Sequence, residues 1–513
     1  MNKQKIVIVG GGTSGWMAAN MLAHQLADVA SVTVVDSSGI APVGVGEGST
    51  PFFKQFFDEL GIAEQEWMPA CHATYKNGIV FPGWNEQTER AEYFHPFYNE
   101  ADTDQVNVFF AACAARLKGY ECCAHPDDFF IASHLQALNK APTGSKPVVD
   151  YGYHFDAGLL AEFLRKLALS KSVAHIDDRV IDVKCAHNGG ITSIVTDNHA
   201  EIAGDLFIDC TGFRGLLIRK TLGRAFISYS DRLLCNAAVA LPLDKQMSAP
   251  GKDGLASATV SAAVEQGWIW NIPLTHRTGT GLVYCSDMCS QQQALEALAS
   301  YHGINLKELE EQNAPSPKHL SWHPGRLEEH WYKNCVAIGL SQGFIEPLEA
   351  PMLNLTQQSI GLLIAKLKSH EESAQVDFNQ QVNGMYDGTC DYIQAHYLLN
   401  SRQQGLFWQK VRNNMYVPDS LQALIGNWQQ GKAIDPVLAA NPQQQIYLKT
   451  SWYCLLAGLA QFPEVTQQMP ARSQRIIEQA KHRAASIASE FPDQQKVLTQ
   501  FANNARASEQ VTA

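Results

Sequence analysis

QKIVIVGGGTSGWMAANMLAHQL, residues 4–26, reads as a buried strand, a glycine turn and a helix. Ile6 to Val9 form a short apolar run rich in β-branched residues, the pattern of a strand covered on both faces. Trp16, Met17, Ala18, Met21 and Leu22 then recur at helical spacing. Between the two, Gly10, Gly12 and Gly15 fit G-x-G-x-x-G in the context that pattern requires. Gly10 permits the tight turn, Gly12 lets a pyrophosphate approach the backbone, and Gly15 lets helix and strand pack closely. Thr13 and Ser14 fall in the first helical turn, whose unpaired N–H groups and partial positive charge suit phosphates.

A second strand, SVTVVDS (residues 31–37), ends in Asp36. That is about 20 residues past the glycines, where a carboxylate reaches ribose hydroxyls; an ordinary turn acid is the alternative. Strand, glycines, helix, strand and acid in order specify a dinucleotide site. Two later stretches choose the dinucleotide. GDLFIDCTGFRGLLI (204–218) is a strand ending at Asp209, and NCVAIGLSQGFIEPLEAP (334–351) is a strand turning through Gly339 and Leu340 toward a helix. Late returns of this kind to a domain opened at residue 5 are the layout of FAD proteins of the glutathione-reductase type. NAD dehydrogenases finish the domain in one block. The expected class is α/β: an FAD-binding Rossmann-like fold with an interleaved β-sheet substrate region and a helical C-terminal part.

Bulk properties agree. A chain of 513 residues needs more than one small core. Its net charge of −12 argues against nucleic acid and against an anionic membrane surface. No run approaches the ~18 apolar residues of a membrane span, and glycines interrupt the N-terminal apolar stretch before a signal h-region is complete. A cytoplasmic protein is expected. The twelve cysteines are scattered without a paired zinc spacing, so reduced thiols and no metal site are expected. Motifs for the nucleotide end at about residue 390. The reading is therefore residues 1–390 as an FAD-binding domain with the interleaved substrate region, and 391–513 as a helical substrate-covering subdomain with its last dozen residues frayed. ATVSAAVEQGWIWNIPL and GTGLVYCSDM read as neighbouring antiparallel strands over the flavin. In that strand Trp268 and Trp270 share a face.

With these elements in place the chain resembles the flavin-dependent halogenases of the tryptophan halogenase family. GGGTSGW (10–16), VGVGEGSTP (43–51), TYKNGIVFPGW (74–84), YGYHFDAGLLAEFL (151–164), GWIWNIPL (267–274) and GFIEPLEAP (343–351) carry the resemblance. It implies FADH2 supplied by a separate flavin reductase, O2 and a halide (chloride or bromide), giving hypohalous acid that a channel carries to a small aromatic substrate. A homodimer is compatible with it. Lys76 matches the catalytic lysine, holding hypohalous acid by a hydrogen bond or as a haloamine. Its apolar neighbours would desolvate the ammonium and lower its pKa. Glu349 matches the catalytic glutamate, orienting the electrophile or taking the arenium proton. Glu346 reads as a structural acid at a helix start. Gly46, Glu47 and Gly48 join the flavin contacts, as does Leu340. Trp268, Trp270 and Pro273 shield the flavin side of the channel from the organic substrate, which blocks direct oxygen transfer.

Two departures matter. Many members read Ser-Thr-Gly after the catalytic glutamate, where backbone amides help bind halide; here Ala350, Pro351 and Met352 stand there. Pro351 has no N–H and Met352 cannot relax the backbone as glycine does, which makes a more polarisable halide, bromide or iodide, the expectation. His95 and Phe97 fit the aromatic sandwich, and Tyr447 and Trp452 fall in the substrate segment. No Asp or Glu occurs from 440 to 462 to meet a substrate ammonium. An electron-rich, indole-like or phenolic arene other than free tryptophan is expected. The competing readings are a flavin-dependent aromatic hydroxylase and a flavoprotein that no longer turns over.

Overall fold

Ile6 and Ile8 face one hydrophobic core while Val7 and Val9 face another, so the first strand (Gln4–Val9) is covered on both sides. That demands neighbours at both edges, and it has them. Ala30–Asp36 and Leu206–Asp209 flank it, both parallel. The computed structural model describes residues 3–39, 47–86, 90, 92–198, 201–244, 255–306, 316–413, 415–459 and 461–512. Gly46 lies outside them. Cys335–Ala337 and Trp331–Tyr332 extend this six-stranded sheet on one side and Ala174–Asp177 on the other. The two late strands thus return to the nucleotide end, as FAD-type topology requires. Gly339 (φ 73°) seals the return, because a Cβ there would sit 2.3 Å from Ser14 Oγ. This brings Leu340 beside the start of the helix Thr13–Gln25.

A seven-stranded sheet forms the second layer, in the order Lys318–Ser321, Ala237–Asp244, Arg277–Tyr284, Gly267–Pro273, Thr259–Val264, Gly78–Pro82, Glu92–Pro96. Thr259–Val264, Gly267–Pro273 and Arg277–Tyr284 are successive antiparallel neighbours, as read from their sequence. Trp270 faces Gly281 across the ladder. A small sheet joins Thr74–Lys76 and Glu47–Gly48 to opposite edges of Gly152–Phe155.

Helices fill the rest. Pro351–Ser369 and Ala374–Leu399 follow the last nucleotide strand. The expected division at 390/391 is corrected: it would cut the 26-residue helix Ala374–Leu399 in its interior. One core cluster runs from Ile6 to Leu498 without a break there, because that helix packs its buried face on both parts. The last helix runs Gln494–Thr512. Eight of the twelve cysteines are buried, while Cys185 is exposed. Among the described residues no helix is long and apolar enough to cross a membrane.

The Trp270–Gly281 pair yields a stability prediction. A Cβ at Gly281 would meet the indole at 2.1 Å and the Val239 carbonyl oxygen at 2.5 Å. Overpacking of this kind costs about 1–3 kcal/mol. Gly281→Ala should lower the denaturation midpoint accordingly and change the tryptophan emission of the folded protein; an unchanged midpoint would mean the sheet yields there.

Candidate active site

The first turn of the N-terminal helix is shaped for an anion. Gly12 is its N-cap, with no side chain capping the helix, and a Cβ on Gly12 would meet nothing within 4 Å. Backbone N–H groups of Thr13, Ser14 and Gly15 therefore face an approachable space of the kind a pyrophosphate fills. Gly15 lies against the carbonyl of Gly10, 2.0 Å from where its Cβ would be. The residues present fit FAD here. Asp36 ends its strand as expected, but His175 Nε2 engages Oδ1 at 2.6 Å and Oδ2 lies against Gly11. Asp209 is a clamp. It accepts from the amides of Thr211, Leu217 and Ile218 and from the hydroxyls of Thr211 and Ser341. Leu340 lines a cavity of about 320 Å³ with Phe213, Trp322 and Phe344.

Lys76 ends a strand whose three residues are all buried. Its side chain is 0% exposed, and among the described residues Nζ has no hydrogen-bond acceptor. Gly48 lies against the amine: a Cβ there would be 3.3 Å from Nζ, which puts Gly48 at the lysine. Phe97 is half-buried, its ring centroid 5.5 Å from Nζ. Burial pushes the Lys76 pKa down to about 8, with the charge of Glu349 partly opposing. Glu47, next to Gly48, is pushed up to about 7 by burial and by Asp156.

Glu349 reaches this site from a turn in which Glu349 (φ 66°) and Ala350 (φ 50°) are both left-handed. Such a conformation costs L-residues about 1–2 kcal/mol each, and it is the sort of local strain that persists at functional sites. Burial presses the Glu349 carboxyl upward, but His95, the hydrogen bond with His396 and the charge of Lys76 outweigh it and hold it below the ordinary value. Burial also lowers His95 to about 4, so His95 is neutral near pH 7; the His396 bond and Lys76 are what act there. His396 Nδ1 faces the Tyr392 carbonyl at 2.9 Å and Nε2 faces Glu349 Oε1 at 3.0 Å. A carbonyl only accepts, so Nδ1 carries a proton. The Nε2–Oε1 contact then needs one further proton, shared by the pair.

Trp268 and Trp270 do stand on one face, centroids 6.4 Å apart. Trp268 Nε1 donates to Tyr397 Oη at 3.0 Å, and Tyr397 Oη donates to Glu346 Oε1 at 2.7 Å. Trp270 Nε1 and Glu346 Oε2 are buried without partners among the described residues. The reading of Glu346 as a helix-start acid is corrected. Its helix begins only at Pro351, and Glu346 is 0% exposed, its carboxyl pushed up to about 8 by burial against the bonds from Tyr397 and Trp268. Trp84 packs on both Tyr397 and His396, so contacts run unbroken from the tryptophan strand to Glu349. Pro273 ties that strand to the lysine strand through its carbonyl, which accepts from Thr74 Oγ1 at 2.7 Å. Pro351 and Met352 are the first residues of the helix Pro351–Ser369.

His95, Tyr447 and Trp452 are brought together, but around a residue the sequence reading passed over. Tyr392 touches all three rings. Trp452 is 0% exposed, its N–H on the Gln444 carbonyl at 3.0 Å. Here Tyr447 and Trp452, expected to bind substrate, both face Tyr392. Tyr392, His396 and Tyr397 all lie in YIQAHY, where Tyr392 and His396 at i and i+4 are the signal the sequence offers. Asp391 offers no free acid for an ammonium, being held by Arg232 at 2.5 Å.

Lys76 has a consequence for stability. Its pKa falls from an ordinary 10.5 to about 8 on folding, so the folded state binds that proton more weakly than the unfolded chain. The penalty is complete below pH 8 and fades as pH rises from 8 to 10.5. At 1.36 kcal/mol per unit it is about 3 kcal/mol. Lys76→Met should therefore be more stable than the parent at pH 7 and lose that advantage by pH 10.5, as followed by denaturant titration.

Comparison with known proteins agrees with this geometry. The tryptophan halogenase family pattern matches residues 5–475. Tryptophan 6-halogenase SttH of Streptomyces toxytricini is 33% identical, over 96% of this chain and 97% of that protein. The 7-chloro-L-tryptophan 6-halogenase KtzR of a Kutzneria species is 37% identical, over 83% and 84%. A solved flavin-dependent halogenase from Xanthomonas campestris superposes with a TM-score of 0.85 at 30% identity, covering 98% of this chain and 99% of that one. The chain belongs to the tryptophan halogenase family and is an FADH2-dependent halogenase.

Proposed function

We propose that this enzyme halogenates an electron-rich, indole-like or phenolic arene with hypohalous acid received at Lys76. The observation that carries the reading is a fully buried ammonium with no acceptor among the described residues, beside an ionised Glu349. Bound reduced FAD supplies, with O2 and halide, the hypohalous acid. Lys76 either donates a hydrogen bond to it or, as free amine, forms a haloamine: an N–X bond replaces N–H and water leaves. The arene then takes the halogen as the N–X pair returns to nitrogen, and the ring proton, relayed by Glu349, ends on that nitrogen and restores the amine. Glu349 accepts the ring proton, its carboxyl held below the ordinary value by the His396 hydrogen bond and the Lys76 charge.

Gly10, Gly12, Thr13, Ser14 and Gly15 hold the pyrophosphate, with Asp36, Glu47 and Leu340 nearby. Trp268, Trp270 and Pro273 wall the organic substrate away from the flavin, and the orphaned Trp270 N–H is a donor for the passing halide or oxidant. Pro351 gives no amide, so halide rests on the remaining N–H groups of that helix start, Met352 first. This favours bromide over chloride. The relatives' names specify tryptophan; this chain's lack of a free acid for the ammonium favours an arene without one. A separate flavin reductase supplies FADH2. The runner-up is aromatic hydroxylation, which would add oxygen irrespective of halide.

Mass spectrometry of an indole and phenol panel with FADH2, O2 and equal chloride and bromide should give brominated product in excess. A chloride preference would remove the halide argument, and an oxygenated product the halogenase mechanism. Lys76→Ala should abolish halogenated product while flavin reoxidation continues. Glu349→Gln should slow the reaction about 10²–10⁴-fold, the usual span of a lost proton acceptor.

A further inference from the structure

The aromatic cluster beside the catalytic pair is already full. Tyr392 is 0% exposed. Its ring stacks on Tyr447 with centroids 3.7 Å apart and 12° between planes, and meets Trp452 edge-on at 4.8 Å. His95 and His396 pack on it at 6.1 and 5.1 Å. Tyr392 Oη lies 3.1 Å from the Ser451 carbonyl and 3.2 Å from His95 Nε2. The carbonyl can only accept, so the phenol gives it its one proton and in turn accepts from His95 Nε2–H. His95 Nδ1 is then a bare acceptor, and it is buried with no donor among the described residues.

We infer that Tyr392 is a specificity-determining residue that fills the aromatic box of His95, Tyr447 and Trp452 with the protein's own ring. The inference rests on the arene-halogenase reading for its substrate class. An arene entering between His95 and Trp452 would have to eject a stacked, fully buried side chain and break both of its hydrogen bonds. The arene therefore lies on the Phe97 side, where a half-buried ring stands 5.5 Å from Lys76 Nζ. His95 Nδ1 is the acceptor available to an N–H or O–H of that arene. The site takes compact arenes and rejects those with a further ring that needs the box.

Two probes of different size test this: indole and the three-ring carbazole. Tyr392→Ala should raise the carbazole-to-indole ratio of kcat/KM at least tenfold, the effect appearing in KM, and should tighten carbazole binding measured by calorimetry without turnover. Tyr392→Phe keeps the ring and should keep the parent's size preference. Tyr392→Leu, which conserves more packing, stands in if the alanine variant does not fold or bind FAD. Either small variant, folded and FAD-binding with an unchanged ratio and unchanged carbazole affinity, overturns the inference. Absence of halogenated product from every arene with the parent enzyme would instead strike the halogenase reading, while the calorimetric comparison would still decide the role of Tyr392.

Discussion

An ammonium buried without an acceptor opposes folding unless the surroundings over-determine its position. Lys76 is held that way. Its strand pairs with Gly152–Phe155, Gly48 closes over the amine, and Thr74, two residues earlier, is tied to the Pro273 carbonyl. Three segments distant in sequence thus converge to keep one amine dry. The rest of the site answers to that charge. Glu349 must come close enough to feel it, which the left-handed turn at Glu349–Ala350 arranges, and the neighbouring imidazole of His95 stays neutral.

The helix Ala374–Leu399 is the part that makes these constraints compatible. It presents Tyr392, His396 and Tyr397 to three different tasks: filling the aromatic box, pairing with Glu349, and bonding both Trp268 and Glu346. Asp391 on the same helix is anchored by Arg232, and Gln444 adds to that anchor. A buried ion pair of this kind is weak evidence for stability, but breaking it would strand a charge. The helix is thereby held in place beside the contacts that serve the chemistry.

Two electrostatic regimes sit side by side. Near Lys76 a carboxylate is kept ionised; near the tryptophans Glu346 is buried with one oxygen unpartnered and keeps its proton at neutral pH. Environments that push two carboxyl groups apart are how proteins divide acid and base roles. Trp84 packs between them on Tyr397 and His396, a dry partition that lets the two keep different protonation states.

The nucleotide fold was legible because its signals are local. The alternation of Ile6 to Val9, the spacing of Gly10, Gly12 and Gly15, and the late turn at Gly339 each follow from one short segment's own backbone needs. The shared face of Trp268 and Trp270 follows from strand periodicity in the same way. Lys76 and Glu349 were found through motif resemblance, since nothing in TYKNG by itself says that the lysine is dry. Only tertiary structure decided that Gly48 abuts that amine, that Glu346 is a buried acid, that Tyr392 occupies the box, and that the helix through residues 390 and 391 is unbroken. Burial, desolvation and proton sharing are properties of which distant segments meet, and residue spacing along one segment carries no record of that meeting.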